Sequence, residues 1–182
     1  IGVKISFEES VKLIDKRFFD SEKTLVVVTP AVPKNNSILN FFKANNFKVI
    51  KRAIALGLIT NNTKCLAVSG THGKTTTSSI LSHLMFECNK KIIAFLGGIS
   101  ENYKSNFIQN GSEFSVVEAD EFDRSFLHLK PYMACITSMD ADHLDIYHNK
   151  LNLEKAFKEF SELITNDNKL FVHNSIPFPG HS

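Results

Sequence analysis

The residues best suited to chemistry lie in one short stretch, Ser69-Gly70-Thr71-His72-Gly73-Lys74-Thr75-Thr76-Thr77, between an apolar run and a helical pattern. A glycine-bearing turn there lets backbone N–H groups point inward, and the following helix N-terminus adds positive potential, so the natural ligand is a phosphate. Gly70, Thr71, His72 and Gly73 form the turn. Lys74 can reach the β- and γ-phosphates of a nucleotide, the Thr75 hydroxyl can ligate Mg²⁺, and Thr76 can add a hydroxyl beside the phosphates. His72 can orient the loop or touch phosphate. The general P-loop signature asks for glycine five residues before Gly73, and that position is Val68. Only the latter part of the signature is therefore met, with Gly70 as the additional glycine.

Two further strand-like runs end in titratable residues. Phe114–Glu118 leads into Glu118-Ala119-Asp120-Glu121-Phe122-Asp123, and Tyr132–Thr137 leads into Asp140-Ala141-Asp142-His143-Leu144-Asp145. A nucleotide site needs hard oxygen ligands for Mg²⁺, and four acids in six residues can provide them. Glu118 is the best placed, at the very end of its apolar strand. His143 suits a metal-bound or phosphate-facing role, although imidazole is not the first choice of Mg²⁺. A zinc hydrolase would want a second histidine at helical spacing, which this cluster lacks.

The elements that must position these residues alternate. Thr24–Val28 reads as a strand, Asn35-Asn36-Ser37 as the cap of a helix bearing Ile38, Leu39, Phe41, Phe42 and Ala44, then Phe47–Ile50 as a strand and Arg52–Ile59 as a helix. A junction at Asn61-Asn62-Thr63 suggests a boundary there. A second unit follows: strand Cys65–Ser69, the loop, a helix over 74–86 with Ile80, Leu81, Leu84 and Met85 on its apolar face, and strand Lys91–Leu96 ended by Gly97-Gly98. Asn152 is a candidate cap for a helix carrying Leu153, Ala156, Phe157, Phe160, Leu163 and Ile164, and Lys169–His173 a last strand. The order implies an α/β fold with a mostly parallel sheet, whose sites gather at the C-terminal ends of the strands.

Bulk composition narrows the class. The 182 residues are 43% hydrophobic, with 21 Lys and Arg against 19 Asp and Glu. That favours a folded domain over disorder and offers no concentrated basic run for nucleic acid. No apolar run is long enough for a transmembrane helix, and the start, interrupted by Glu8, Glu9, Lys12 and Asp15, does not read as a signal peptide. Cys65, Cys88 and Cys135 lie in or beside apolar runs and share no short spacing, so buried free thiols in a reducing compartment are expected. The first residue is Ile rather than Met, which suggests an earlier N-terminus.

Taken together, the ordered motifs resemble the Mur ligase family, and its alanine-adding branch most of all. Ser69 to Thr77 resembles the family's ATP-binding loop, with His72 the form typical of that branch and of the tripeptide-recycling enzymes. Glu118 to Pro131 and Asp142-His143-Leu144-Asp145-Ile146-Tyr147 are similar to the alanine-adding enzymes, while Thr29-Pro30-Ala31-Val32-Pro33 and Lys51-Arg52-Ala53 resemble the late part of their UDP-sugar-binding domain. Ser138 stands where the family usually has Asn.

The resemblance implies a partial Rossmann-like UDP-binding domain over 1–62 and a partial central ATP-binding domain over 63–182, with no C-terminal domain. It implies ATP and Mg²⁺ as cofactors. Lys74, Glu118 and His143 would be catalytic, Thr75, Glu118 and His143 metal ligands, and Gly97, Gly98, Asn102 and Asn106 the lining of the sugar-nucleotide site. The implied reaction joins L-alanine to the lactyl carboxylate of UDP-N-acetylmuramate through an acyl phosphate, in the bacterial cytoplasm, as a step towards peptidoglycan. These 182 residues alone would then be inactive as a ligase. The alternatives are a tripeptide-recycling ligase of the same family, a P-loop binding module that forms no amide, and a small-molecule kinase.

Overall fold

A computed structural model describes residues 3–140, 147, 149–164 and 169–176. The chain divides into two compact units, Ile1–Ala55 and Leu56–Ser182.

In the first unit β1 (Leu25–Val28) and β2 (Lys48–Lys51) pair in parallel, joined through α1 (Ser37–Ala44). Asn36 caps α1 by accepting the Leu39 N–H at 2.9 Å, an interaction typically worth about 1 kcal/mol. Leu39 and Phe42 are the buried members of its apolar stripe, and Phe19, Phe41, Phe42 and Phe47 form a chain of edge-on ring contacts. Helix α2 spans Arg52–Thr60.

The second unit is a six-stranded sheet in the order β5-β4-β6-β3-β7-β8. Its strands are β3 (Lys64–Ser69), β4 (Ile92–Ser100), β5 (Ser105–Gln109), β6 (Phe114–Glu118), β7 (Met133–Ile136) and β8 (Leu170–Val172). All neighbours are parallel except β4 and β5. Helices α3 (Lys74–Glu87) and α4 (Lys150–Glu162) complete it. Alternate residues of a strand face opposite sides of the sheet. Val116 accordingly joins Ile92, Ala94 and Ile108 beside Leu81, Met85 and Phe86 of α3, while Val117 joins Ala67, Phe126 and the α4 residues Leu153, Ala156, Phe157 and Phe160. Burial on both faces explains why the central strands read as continuous apolar runs rather than as alternating ones. No helix among the described residues is long and apolar enough to cross a membrane.

Four local expectations are corrected. Gly97 and Gly98 do not end β4, which continues to Ser100, because β5 pairs with it antiparallel across an irregular register between Phe95 and Ser100. Strand β5 itself, short and largely polar, has no clear signature in the sequence. Asn149 caps α4, accepting the Asn152 N–H at 2.9 Å, whereas the Asn152 side chain donates to the Tyr147 carbonyl at 2.8 Å. On α3, Ile80 and Leu84 are exposed and the fully buried side chains are Ser78 and Ser82. Their hydroxyls return to the helix's own carbonyls at Thr75 and Ser78, so neither buried serine leaves its hydroxyl unpaired. Cys65 is buried and Cys135 partly so, but Cys88, just past the end of α3, is exposed.

Candidate functional site

Strand β3 lies between β6 and β7, although both come later in the chain. The C-terminal ends of these three strands therefore meet, which puts the 69–77 loop beside Glu118 and beside Thr137-Ser138. This is the crevice in which open α/β sheets bind ligands.

The loop is held in shape from the β7 side. Thr137 Oγ1 donates to the carbonyls of Ser69 at 3.0 Å and His72 at 2.5 Å. Ser138 Oγ accepts the His72 N–H at 2.7 Å and lies 2.9 Å from Thr71 Oγ1, which in turn accepts the Asp140 N–H at 3.0 Å. Gly70 sits at φ +133°, and a Cβ there would stand 2.3 Å from Thr137 Oγ1 and 2.8 Å from the Ser138 nitrogen. Only glycine fits both that backbone angle and that approach. His72 is exposed, with Nε2 3.7 Å from Asp140 Oδ2.

Gly73 caps α3 from a left-handed conformation and brings no side-chain cap. The first-turn amides of α3, which have no intrahelical acceptor, are therefore left for another partner. Thr76 is exposed in this turn. Lys74 is largely buried, and its ammonium donates to the Gly70 carbonyl at 2.7 Å and to both carboxylate oxygens of Glu121 at 3.0 Å. Glu121 is fully buried.

Glu118, the last residue of β6, links the loop to β4. Its Oε1 accepts from Thr75 Oγ1 at 2.9 Å and its Oε2 from the Gly97 N–H at 2.8 Å. A Cβ on Gly97 would stand 2.5 Å from Oε2, so the glycine leaves the room that the carboxylate occupies. Gly98 faces the same helix, since a Cβ there would meet Thr75 Cγ2 at 3.3 Å. Asn102, in the turn between β4 and β5, and Asn106, in β5, are exposed, and among the described residues no hydrogen bond joins either to the loop. His143 lies outside the described residues.

The structure thus groups the expected Gly70, Thr71, His72, Gly73, Lys74, Thr75, Glu118, Gly97 and Gly98, and leaves Asn102 and Asn106 on the β4–β5 hairpin. The donor set fits the groups the sequence suggests. Thr75 and Glu118 offer hard oxygens of the type Mg²⁺ prefers, and the uncapped amides with Lys74 suit phosphate. Among the described residues no group of three or more His, Cys, Asp or Glu side chains is arranged to hold a metal.

Residues 68–178 match the family profile of the Mur ligase middle domain, a span that includes the whole loop, both titratable strand ends and α4. The chain belongs to the Mur ligase family. The UDP-N-acetylmuramate–L-alanine ligase of Flavobacterium psychrophilum is 56% identical to it over 179 residues, 98% of this chain and 40% of that protein. The enzyme of the same name from Christiangramia forsetii is 53% identical over 182 residues, 100% of this chain and 40% of that protein. This Mur ligase chain therefore spans about 40% of the length of those curated relatives. Among solved structures, UDP-N-acetylmuramate-alanine ligase MurC from Thermotoga maritima superposes with a TM-score of 0.73 at 28% identity, covering 86% of this chain and 36% of that one. The ligase for UDP-N-acetylmuramate and L-alanyl-γ-D-glutamyl-meso-diaminopimelate from Neisseria meningitides gives 0.76 at 21% identity, covering 84% and 52%, and shares the fold.

Sequence reasoning on this Mur ligase missed four contributors. Glu121 was one acid among four, with nothing local to mark it as the partner of Lys74. Thr137 and Ser138 clamp the loop from 65 to 68 positions away, through the bonds to His72, Ser69 and Thr71. Tyr147 donates to the Glu121 carbonyl at 2.5 Å, and burial, followed by the nearby Glu121 charge, pushes its phenol up to about 12. For Glu121, Thr137 and Ser138 the missing information was the strand order.

Proposed function

We propose that the protein containing this chain ligates L-alanine to UDP-N-acetylmuramate at the expense of ATP. The observation that carries the reading is the convergence of the loop, Lys74, Thr75 and Glu118 at one crevice, in a chain at least half identical to two enzymes of that name over nearly its whole length. On this reading the enzyme works in the bacterial cytoplasm and supplies a peptidoglycan precursor.

The loop amides and Lys74 would bind the triphosphate of ATP and align its γ-phosphoryl group, offsetting charge as the bridging P–O bond breaks. That group passes to an oxygen of the lactyl carboxylate, giving an acyl phosphate and ADP. The alanine amine then attacks the acyl carbon, loses a proton and expels phosphate. Thr75 and Glu118, with His143 as a further ligand, would hold Mg²⁺, which supplies charge neutralisation between the phosphates and the carboxylate. Gly97 would keep Glu118 in place through its N–H and its lack of a side chain. Gly98, Asn102 and Asn106 would face the sugar nucleotide along the β4–β5 hairpin.

The test uses the protein expressed from its complete reading frame, incubated with ATP, Mg²⁺, UDP-N-acetylmuramate and L-alanine. Mass spectrometry should find UDP-N-acetylmuramoyl-L-alanine, and Lys74→Ala should cut its rate of formation to a small, still measurable residue. Product formed only with the tripeptide would transfer the reading to the recycling enzymes. ATP binding with neither product would remove the ligase function.

A further inference from the structure

The ion pair between Lys74 and Glu121 is not needed to hold the loop in shape, since Thr137 and Ser138 already do that. Its geometry is nevertheless specific. An ammonium group has three N–H donors. Here one goes to the Gly70 carbonyl at 2.7 Å and the others to Glu121 Oε1 and Oε2, each at 3.0 Å. The Lys74 side chain is 12% exposed and that of Glu121 0%. A carboxylate so far from water stays where it is only with partners, and a buried ion pair tolerates loss of one member badly. The main chain that carries Glu121 is tied down as well, because Tyr147 donates to the Glu121 backbone carbonyl at 2.5 Å and that oxygen also accepts the Arg124 N–H at 2.9 Å.

We propose that Glu121 is a positioning residue for Lys74: it holds the ammonium at the rim of the phosphate loop, with its donors saturated, until a phosphate oxygen takes over at least one of them. The inference deepens the nucleotide-dependent reading given above and rests on it. Two consequences follow from the geometry. Glu121 acts on turnover through Lys74, so its removal lowers kcat chiefly while Lys74 is present. It also competes with phosphate for the same N–H donors, so its removal impairs the chemical step without weakening ATP binding.

A double-mutant cycle tests this in the protein expressed from its complete reading frame, with Glu121→Gln, Lys74→Met and the two combined. In otherwise unaltered protein, Glu121→Gln should lower kcat at least tenfold, with KM for ATP unchanged or lower and with full MgATP-binding stoichiometry. In the Lys74→Met background the same change should alter kcat less than about twofold, because interactions that act as a unit are not additive. The melting temperature should follow the same logic: Lys74→Met takes the Lys74 ammonium from a buried carboxylate and lowers Tm, and adding Glu121→Gln recovers part of the loss. Equal effects of Glu121→Gln in both backgrounds would overturn the proposal, as would a raised KM or a reduced binding stoichiometry in the single variant. Should Lys74→Met fail to fold, the kcat, KM and stoichiometry of Glu121→Gln alone decide. If no amide product forms with any acceptor, the ligase reading fails, and the cycle is read as MgATP affinity and Tm. There, non-additivity sustains the positioning role and additivity ends it.

Discussion

Gly97→Ala separates the site from the fold more cleanly than any other single change. The new Cβ would stand 2.5 Å from Glu118 Oε2 and 2.7 Å from its Cδ and Oε1. Ordinary contact requires about 3.5 Å, so the carboxylate must retreat by roughly 1 Å. That movement stretches two hydrogen bonds, from the Gly97 N–H at 2.8 Å and from Thr75 Oγ1 at 2.9 Å, beyond useful range. The backbone need not move, because the obstacle is the end of a side chain. For stability, the lost bonds cost about 0.5–1.5 kcal/mol each, partly offset by about 0.5–1 kcal/mol from replacing glycine within a strand. The net change should stay within about 2 kcal/mol. Activity should fall much further, on the order of 100-fold, since a 1 Å error in a reacting constellation has that scale of effect. Urea unfolding beside initial rates of ATP-dependent product formation, both on the protein from its complete reading frame, measures the two quantities. Unchanged kcat would refute the placement of Glu118 at the reacting centre. A stability loss above about 4 kcal/mol would refute the argument that only the carboxylate shifts.

Three other outcomes are expected. Gly70→Ala should destabilise by about 2 kcal/mol or more, because its Cβ meets the Ser138 nitrogen as well as Thr137 and its φ of +133° strains any side chain; urea unfolding in which it proves as mild as Gly97→Ala would contradict this. Tyr147, ordinarily near 10, is pushed up to about 12, so its phenol adds stability that is fully present below pH 10 and is lost as pH rises through about 12. Denaturation midpoints of wild type should therefore drop more steeply across that window than those of Tyr147→Phe, and parallel curves would show that the phenol is not held by the fold. Iodoacetamide should label exposed Cys88 first, while Cys65 and Cys135, whose thiols burial pushes up, react slowly until unfolding; peptide mass spectrometry with early Cys65 labelling would refute that order.

Much of the second unit was legible because its signals are local. Apolar runs marked β3, β6 and β7, and the loop was bracketed by a strand and a helix whose bounds the structure reproduces within a residue or two. The family was legible too, since several short motifs in fixed order are far more specific than any single one. The α3 face was misread because helical spacing identifies an apolar stripe without saying what it packs on. Here Ser78 and Ser82 take the buried side, and Ile80 and Leu84 turn outward. Strand β5 escaped because it is an edge strand paired only with β4, with just Ile108 buried.

The sequence by itself marked the 69–77 loop after β3 and the carboxylate that ends β6, because strand, turn and helix signals reach only a few residues along the chain. The tertiary structure alone decided which of them meet. Glu121 rather than its neighbours holds Lys74 across 47 positions, Glu118 joins Thr75 to Gly97, and Thr137 with Ser138 clamps the loop. The contacts follow from the strand order, in which β6 lies between β4 and β3 and β3 lies between β6 and β7, and that order depends on burial of the sheet on both faces, which no local pattern encodes.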